Sequence, residues 1–170
     1  LPDVPVETIL ALLPKLTAPR GRLQFVEGHK QGAGVYVDYA HTPDAIEHIL
    51  QALRAHTQGK LIVVFGCGGD RDKSKRPAMG RLAHELADVV IVTDDNPRSE
   101  NPATIRREIL AAAPGALDIG DRAEAIKKAV DMAQAGDIVI IAGKGHEQGQ
   151  IVAGVAHPFD DVEVTRHALG

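Results

Sequence analysis

Asp94, Asp95, Asn96 and Arg98 follow an apolar run in "VVIVTDDNPRSENP" (89–102), so two acids, an amide and a guanidinium gather where a buried strand should end. Pro97 fixes its own φ and biases Asn96 toward extended backbone, which stiffens the loop and lets Arg98 aim a planar fork of donors. That fork suits a carboxylate. Asp94 or Asp95 can accept from an ammonium or from Arg98 itself, and Asn96 carries both a donor and an acceptor. Acceptors beside a guanidinium are what the zwitterionic head of an amino acid needs. The same residues also fit an Asx-Pro turn, with Asp95 capping the helix after Pro102 or pairing with Arg98.

Three other segments set reactive side chains among glycines or at the end of an apolar run. In "GCGGDRDKSKRP" (66–77), Gly66, Gly68 and Gly69 permit close backbone approach, while Arg71, Lys73, Lys75 and Arg76 supply charge at a helix start. Such a loop can cradle an anion; a Gly-rich turn with solvated charges is the plainer alternative. His41 follows Asp38 in "DYAHTPD" (38–44), a place suited to touching a phosphate or ribose, or to ordering the loop. His146 and Glu147 in "AGKGHEQ" (142–148) are equally open, the acid either binding an amine or facing water. Cys67 reads better as a small packed residue than as a nucleophile, because no His or Asn partner is assigned to it. Histidines 29, 48, 56, 84, 157 and 167 read as surface or helix residues, and no Cys/His cluster has zinc-ligand spacing.

Neither G-x-x-x-x-G-K-[ST] nor G-x-G-x-x-G occurs, which disfavours a self-contained nucleotide hydrolase or dinucleotide oxidoreductase. A net charge of −4 and 3% aromatic residues, with no Trp, argue against a nucleic-acid partner. The single Cys67 cannot form an internal disulfide, so a reducing compartment, the cytoplasm, is expected. No apolar run reaches membrane-spanning length, and "LPDVPVETILALLPKLTAPRGR" (1–22) lacks the basic start and cleavage site of a signal peptide. Without an initiating Met the chain reads as a piece of a longer protein. At 170 residues and 44% hydrophobic, one domain with a sizeable core is expected.

The elements that must position these loops are legible. β-branched runs at 34–40, 60–69, 87–97 and 137–145 end in Gly, Pro or Asp and read as strands. Between them, 42–57, 75–87, 102–113 and 121–136 read as amphipathic helices, the first with Thr42 as N-cap and Pro43 at its first position. The pattern implies an α/β, Rossmann-like, mostly parallel sheet with helices on both faces. Residues 23–37 suggest an antiparallel edge strand or hairpin. Ligands in such sheets collect at the carboxyl ends of the strands, where the four loops lie.

The segments "GR" (21–22), "VDYAHTPDA" (37–45), "VFGCGGDRDKSKRPAM" (64–79), "TDDNPRSENP" (93–102), "GDRAEAI" (120–126) and "AGKGHE" (142–147), in this order, resemble the C-terminal domain of the Mur ligases of peptidoglycan precursor synthesis. The resemblance covers nearly the whole chain. It implies an ATP-dependent amide ligase of three domains: one for a UDP sugar, a central P-loop ATPase, and this one, residues 1–170, which delivers the amino acid. The first two are absent from the chain, so the domain alone is expected to be inactive. In the implied reaction a substrate carboxylate attacks the γ-phosphate of ATP and the incoming amine then attacks the acyl phosphate.

Within the family, Asp-Asn-Pro-Arg marks recognition of meso-diaminopimelate, and it falls on Asp95, Asn96, Pro97 and Arg98. The resemblance thus implies addition of meso-diaminopimelate to UDP-MurNAc-L-Ala-D-Glu. By the same matching Arg71, Gly143 and Glu147 complete the pocket, Glu147 accepting from the distal ammonium. Arg22 is expected near the ATP phosphates and Asp38 near the ribose, with His41 beside them; "APRGR" (18–22) leaves Arg20 as an alternative to Arg22. ATP and Mg2+ are expected mainly on the central domain, and the protein is expected to be a monomer without nucleic-acid or membrane partners. The alternatives are a lysine-adding or folylpolyglutamate-type sister ligase, which Asp95 to Arg98 speak against, or a stand-alone binding module for a dicarboxylic amino acid.

Overall fold

A computed structural model describes residues 4–13 and 19–170; the expectations for the N-terminal stretch therefore fall partly on 1–3 and 14–18, outside the described residues. Along the chain come α1 (Val6–Leu12), β1 (Gln24–Phe25), β2 (Gly34–Asp38), α2 (Pro43–Arg54), β3 (Leu61–Phe65), α3 (Lys75–Leu86) and β4 (Val89–Val92). They are followed by α4 (Pro102–Leu110), β5 (Leu117–Asp118), α5 (Arg122–Met132), β6 (Ile138–Ala142), β7 (Gly149–Val152), β8 (Val155–Pro158) and α6 (Asp161–Leu169). The main sheet has the order β1-β2-β6-β3-β4-β5, and only β1 runs antiparallel to its neighbour. The mostly parallel sheet and its antiparallel edge are thus as the sequence implies.

The central strands are apolar throughout because helices cover both their faces. Every residue of β3 and β6 is buried. On one face Ile46, Leu50, Met79, Ile105 and Ile109 of α2, α3 and α4 pack on Leu61, Val63 and Ile140. On the other, Ile126 and Val130 of α5 and Val162 and Leu169 of α6 pack on Ile62, Val64 and Ile141. Each such side chain contributes about 1.5–3 kcal/mol on burial, which is why the continuous runs specify this layering.

Helix starts at the site end are chemically fixed. Thr42, Asn101, Asp121 and Asp160 cap α2, α4, α5 and α6 through side-chain acceptors, each cap stabilising by about 1 kcal/mol. The cap of α4 is Asn101, which corrects the Asp95 cap considered above. Pro43 and Pro102 occupy first helical positions, where the missing N–H costs nothing. The short β5, the antiparallel β7–β8 hairpin and α6 carry too little periodicity to be foreseen: β5 has two residues and β8 is exposed at all four.

Two polar clusters hold the site end together. Arg122 and Asp161, both completely buried, form a bidentate pair with Nε–Oδ1 and Nη2–Oδ2 distances of 2.7 Å. Arg122 also donates to Ala142 O at 3.0 Å and Asp94 O at 3.5 Å, so one guanidinium ties α5, α6 and the ends of β6 and β4. Nearer the surface, buried Arg76 holds Glu100 (Nη2–Oε1 2.9 Å) and Glu108 (Nη1–Oε2 2.8 Å). Glu100 in turn accepts from Asp70 N at 2.7 Å, and Asp70 accepts from Ser99 Oγ at 2.7 Å. Residues 66–74 and 96–101 are thereby one unit.

Asp161→Asn leaves Arg122 as a buried, unneutralised cation and should lower unfolding free energy by about 3–5 kcal/mol, read from urea denaturation; adding Arg122→Met should recover part of that loss. The second cluster has a pH signature. Hydrogen bonding to Arg76 holds the Glu100 carboxyl down from its ordinary 4.5 to about 2. A depressed acid stabilises the fold above its unfolded pKa and loses that contribution as pH falls through the folded one. The stability difference between wild type and Glu100→Gln should therefore be constant above pH 4.5, shrink as pH falls and vanish near pH 2; a pH-independent difference in urea midpoint would refute this role.

Candidate functional site

At the carboxyl ends of β2, β3, β4 and β6 the four loops enclose a cavity of about 480 Å³. Arg71, Asp95, Asn96, Arg98, Gly143 and Glu147 all line it, as do Tyr39, His41 and Lys75. Pro97, buried, supports the loop from behind: its carbonyl lies against Gly69, where a Cβ would meet it at 2.0 Å. The residues that the sequence singles out are thus brought to one place.

Asp95 and Asn96 are only 7% and 5% exposed. The Asp95 carboxylate has no hydrogen-bond partner among the described residues, and no ion pair joins it to Arg98. Asn96 is committed to the protein: its Oδ1 accepts from Lys144 Nζ and Ile151 N, both at 3.0 Å, and its Nδ2 donates to Glu147 Oε2 at 2.9 Å. One amide N–H is left. The two neighbours in the motif therefore differ, Asp95 being a free acceptor and Asn96 largely a brace.

Arg98 sits in the left-handed region, φ 52°, which costs a non-glycine residue about 1–2 kcal/mol. The β7–β8 hairpin holds it there: Arg98 N donates to Ile151 O at 2.9 Å, and Gln150 Nε2 donates to Asp95 O at 2.8 Å. In this conformation Nη1 reaches Gly69 O at 2.9 Å and Asn96 O at 3.4 Å, leaving Nη2 and Nε without a protein acceptor among the described residues. The guanidinium passes over Gly68, where any Cβ would meet Nη1 at 2.7 Å. Gly143 (φ 118°) plays the same part for Asp95, since a Cβ there would lie 2.8 Å from Oδ2.

Burial alone would push the Glu147 carboxyl up, but the Asn96 hydrogen bond and the Lys144 charge hold it below its ordinary value. It is anionic at neutral pH and can receive an ammonium. Arg71 is exposed at the rim, tethered by a bond from Nη1 to Asp70 O at 3.0 Å. Burial pushes the Cys67 thiol up to about 12, so the nucleophilic thiolate is negligible near neutrality.

A second cavity of about 280 Å³ adjoins the first and is lined by Arg22, Asp38, Ala45, His48 and Ile49, with Tyr39 and His41 forming a wall common to both. The Arg22 guanidinium stacks 4.7 Å from the Tyr39 ring centroid. Arg20 instead pairs with Asp160. Asp38 accepts from Leu23 N at 2.6 Å and Ala40 N at 2.7 Å, which anchors the residues around Arg22 to the end of β2. Among the described residues no group of three or more His, Cys, Asp or Glu is placed to hold a metal ion.

Several assignments change with the structure in view. Asp94 turns away from the cavity and pairs with Arg106 of α4; burial pushes its carboxyl above the ordinary value even so. His29 is not a bystander: its Nε2 lies 3.0 Å from Val130 O, and Nδ1 accepts from Ala33 N at 3.2 Å, clamping the β1–β2 loop to α5. The residue that sequence reasoning passed over is Lys144. It stands inside the quoted "AGKGHE", and the signal was a lysine within a glycine turn directly after a fully buried strand.

The family described as Mur ligase, glutamate ligase domain, matches residues 21–145. A protein of Agrobacterium fabrum (strain C58) named UDP-N-acetylmuramoyl-L-alanyl-D-glutamate--2,6-diaminopimelate ligase is 61% identical over 166 residues, covering 98% of this chain and 34% of its own length. A solved structure of a ligase with the same name superposes with a TM-score of 0.83 at 45% identity, covering 98% of this chain and 34% of that one. A bifunctional folylpolyglutamate synthase/dihydrofolate synthase from Yersinia pestis, solved with AMPPNP and a Mn ion, gives a TM-score of 0.59 at 23% identity over 84% of this chain and 37% of its own, a likeness of fold alone. The chain spans about a third of the length of the relatives named as diaminopimelate ligases. On the family match and the identity to those ligases, the chain belongs to the Mur ligase family, as its C-terminal, glutamate ligase domain.

Proposed function

We propose that this chain is the amino-acid-binding domain of a longer cytoplasmic ligase, which uses ATP to join meso-diaminopimelate to UDP-MurNAc-L-Ala-D-Glu. The observation that carries the reading is the charge pattern of the larger cavity. Of its charged lining, Asp72 accepts from Ser74 and Lys75 donates to His41 O, which leaves two guanidiniums, Arg71 and Arg98, facing two carboxylates, Asp95 and Glu147. meso-Diaminopimelate has two carboxylates and two ammonium groups, so each end finds a counterpart. Lysine has one carboxylate and would leave a guanidinium without its anion, a loss that a polar site punishes strongly. The names of the relatives at 61% and 45% identity agree with this choice of amino acid.

The chemistry of the domain is positioning. The larger cavity holds the amino acid and orients its reacting amine, while Arg22 and Asp38 in the adjoining cavity meet the nucleotide, with Tyr39 and His41 between them. ATP phosphates and Mg2+ are held mainly by a central domain outside this chain, and the carboxylate substrate by another. The acyl phosphate formed there presents an electrophile, and fixing the amine beside it converts an encounter into an internal reaction. Arg22 offsets phosphate charge. The domain on its own binds but does not ligate, and the protein works as a monomer.

Arg98→Lys in the full-length enzyme replaces a bidentate fork by a point charge, so KM for diaminopimelate should rise about ten- to a hundredfold while KM for ATP changes little. Steady-state rates with each substrate varied test this, and an unchanged diaminopimelate KM would sink the role given to Arg98. Gly68→Ala should reproduce the same selective defect without removing any charge, because its Cβ displaces the guanidinium; wild-type diaminopimelate kinetics for that variant would show that the path of Arg98 over Gly68 is irrelevant.

A further inference from the structure

Lys144 has no part in the function argued so far, yet its ammonium lies directly behind two residues of the cavity lining, Asn96 and Glu147. Its side chain is completely buried, and Nζ donates to Asn96 Oδ1 at 3.0 Å and to Glu147 Oε2 at 3.2 Å. Burying an ammonium is costly even when it is paired, and a Met of the same length would fill the space without that cost. Packing therefore does not require a charge here.

What the charge does is visible in its partners. Asn96 Oδ1 takes Lys144 Nζ and Ile151 N together, so the amide cannot flip without turning its NH2 group toward two donors. The unflipped amide sends Nδ2 to Glu147 Oε2, the same oxygen that Lys144 engages. Both donors converge on Oε2, and Oε1 has no hydrogen-bond donor among the described residues. Three side chains thus form a closed triangle in which Lys144 is the cation hydrogen-bonded to Glu147, the Arg98 charge acting on the same carboxylate only from a distance. Asp95, Arg98 and Arg71 face the same cavity, and Arg122 lies beneath it, but none of them is hydrogen-bonded to Glu147.

We propose that Lys144 is a positioning residue for amino-acid selection, fixing the Asn96 amide and the Glu147 carboxylate so that one carboxylate oxygen is presented to the distal ammonium of the diamino acid. The inference rests on the reading of the site given above. It assigns selection of the ammonium end to a buried lysine that does not touch the substrate, alongside the guanidinium that selects the carboxylate end.

The test is a mutant cycle in the full-length enzyme with Lys144→Met, Glu147→Gln and the double variant, measuring steady-state rates with diaminopimelate and ATP each varied. Lys144→Met should raise KM for diaminopimelate about tenfold or more, with a smaller fall in kcat and an ATP KM within about twofold of wild type. Because Lys144 acts through Glu147, the double variant should be no worse than Glu147→Gln alone. A wild-type diaminopimelate KM in Lys144→Met, an equal rise in both KM values, or effects that multiply in the double variant would each overturn the proposal. If Lys144→Met fails to fold, the double variant, which buries no unpaired charge, still decides it by comparison with Glu147→Gln. Absence of diaminopimelate-dependent ATP turnover in the wild type would instead sink the functional reading itself.

Discussion

Everything at the site end of the fold hangs on a cation with no access to water. Arg122 is fully buried, and among the described residues its four hydrogen bonds go to the Asp161 carboxylate and to the carbonyls of Ala142 and Asp94 at the ends of β6 and β4. A guanidinium in that position dictates geometry, because any relaxation leaves a desolvated donor unpaired. It sets the spacing between the ends of β4 and β6, and with it the distance between the loop that carries Asp95 and the turn that carries Gly143. The cavity lies between those two segments and the loops after β2 and β3. Its dimensions are thus decided one layer below its lining, by residues that no ligand can reach.

Above that layer the chain uses backbone proximity in place of bulk. Gly66, Gly68 and Gly69 let the loop after β3 press against the loop after β4 so closely that a Cβ at Gly66 would lie 2.2 Å from Thr93 O. The Arg76–Glu100 cluster then locks the two loops together from the outside, and the β7–β8 hairpin supports them from the far side. A left-handed arginine persists because three surfaces determine its path at once.

Much of this was legible in the residues. The apolar runs of β3 and β6 have no alternation, and that alone announced a sheet covered on both faces; Thr42, Pro43 and Pro102 announced helix starts. Asp95, Asn96 and Arg98 were visible as a polar cluster at the end of a buried strand, although their spacing fits an Asx-Pro turn as well. The division of labour among them was not. Nothing in the spacing distinguishes a free Asp95 from a committed Asn96, since the difference arises from Lys144 and Ile151, 48 and 55 residues further along the chain. Asp94 was opaque for the same reason: its partner is Arg106 of α4, 12 residues further along. Local sequence encodes which groups arrive at a strand end, while long-range packing decides which way each one turns.

The closeness of Gly68 to the Arg98 guanidinium has a consequence for how this surface can change over generations. Any base change that replaces the glycine adds at least one carbon, and that carbon occupies the arginine's path. A shorter side chain at position 98 would remove the conflict but also the anion-binding fork. The two positions are therefore coupled: a side chain at 68 is accommodated only if the flexible end of Arg98 moves aside, so the smallest residue at one position keeps the aim of the largest at the other.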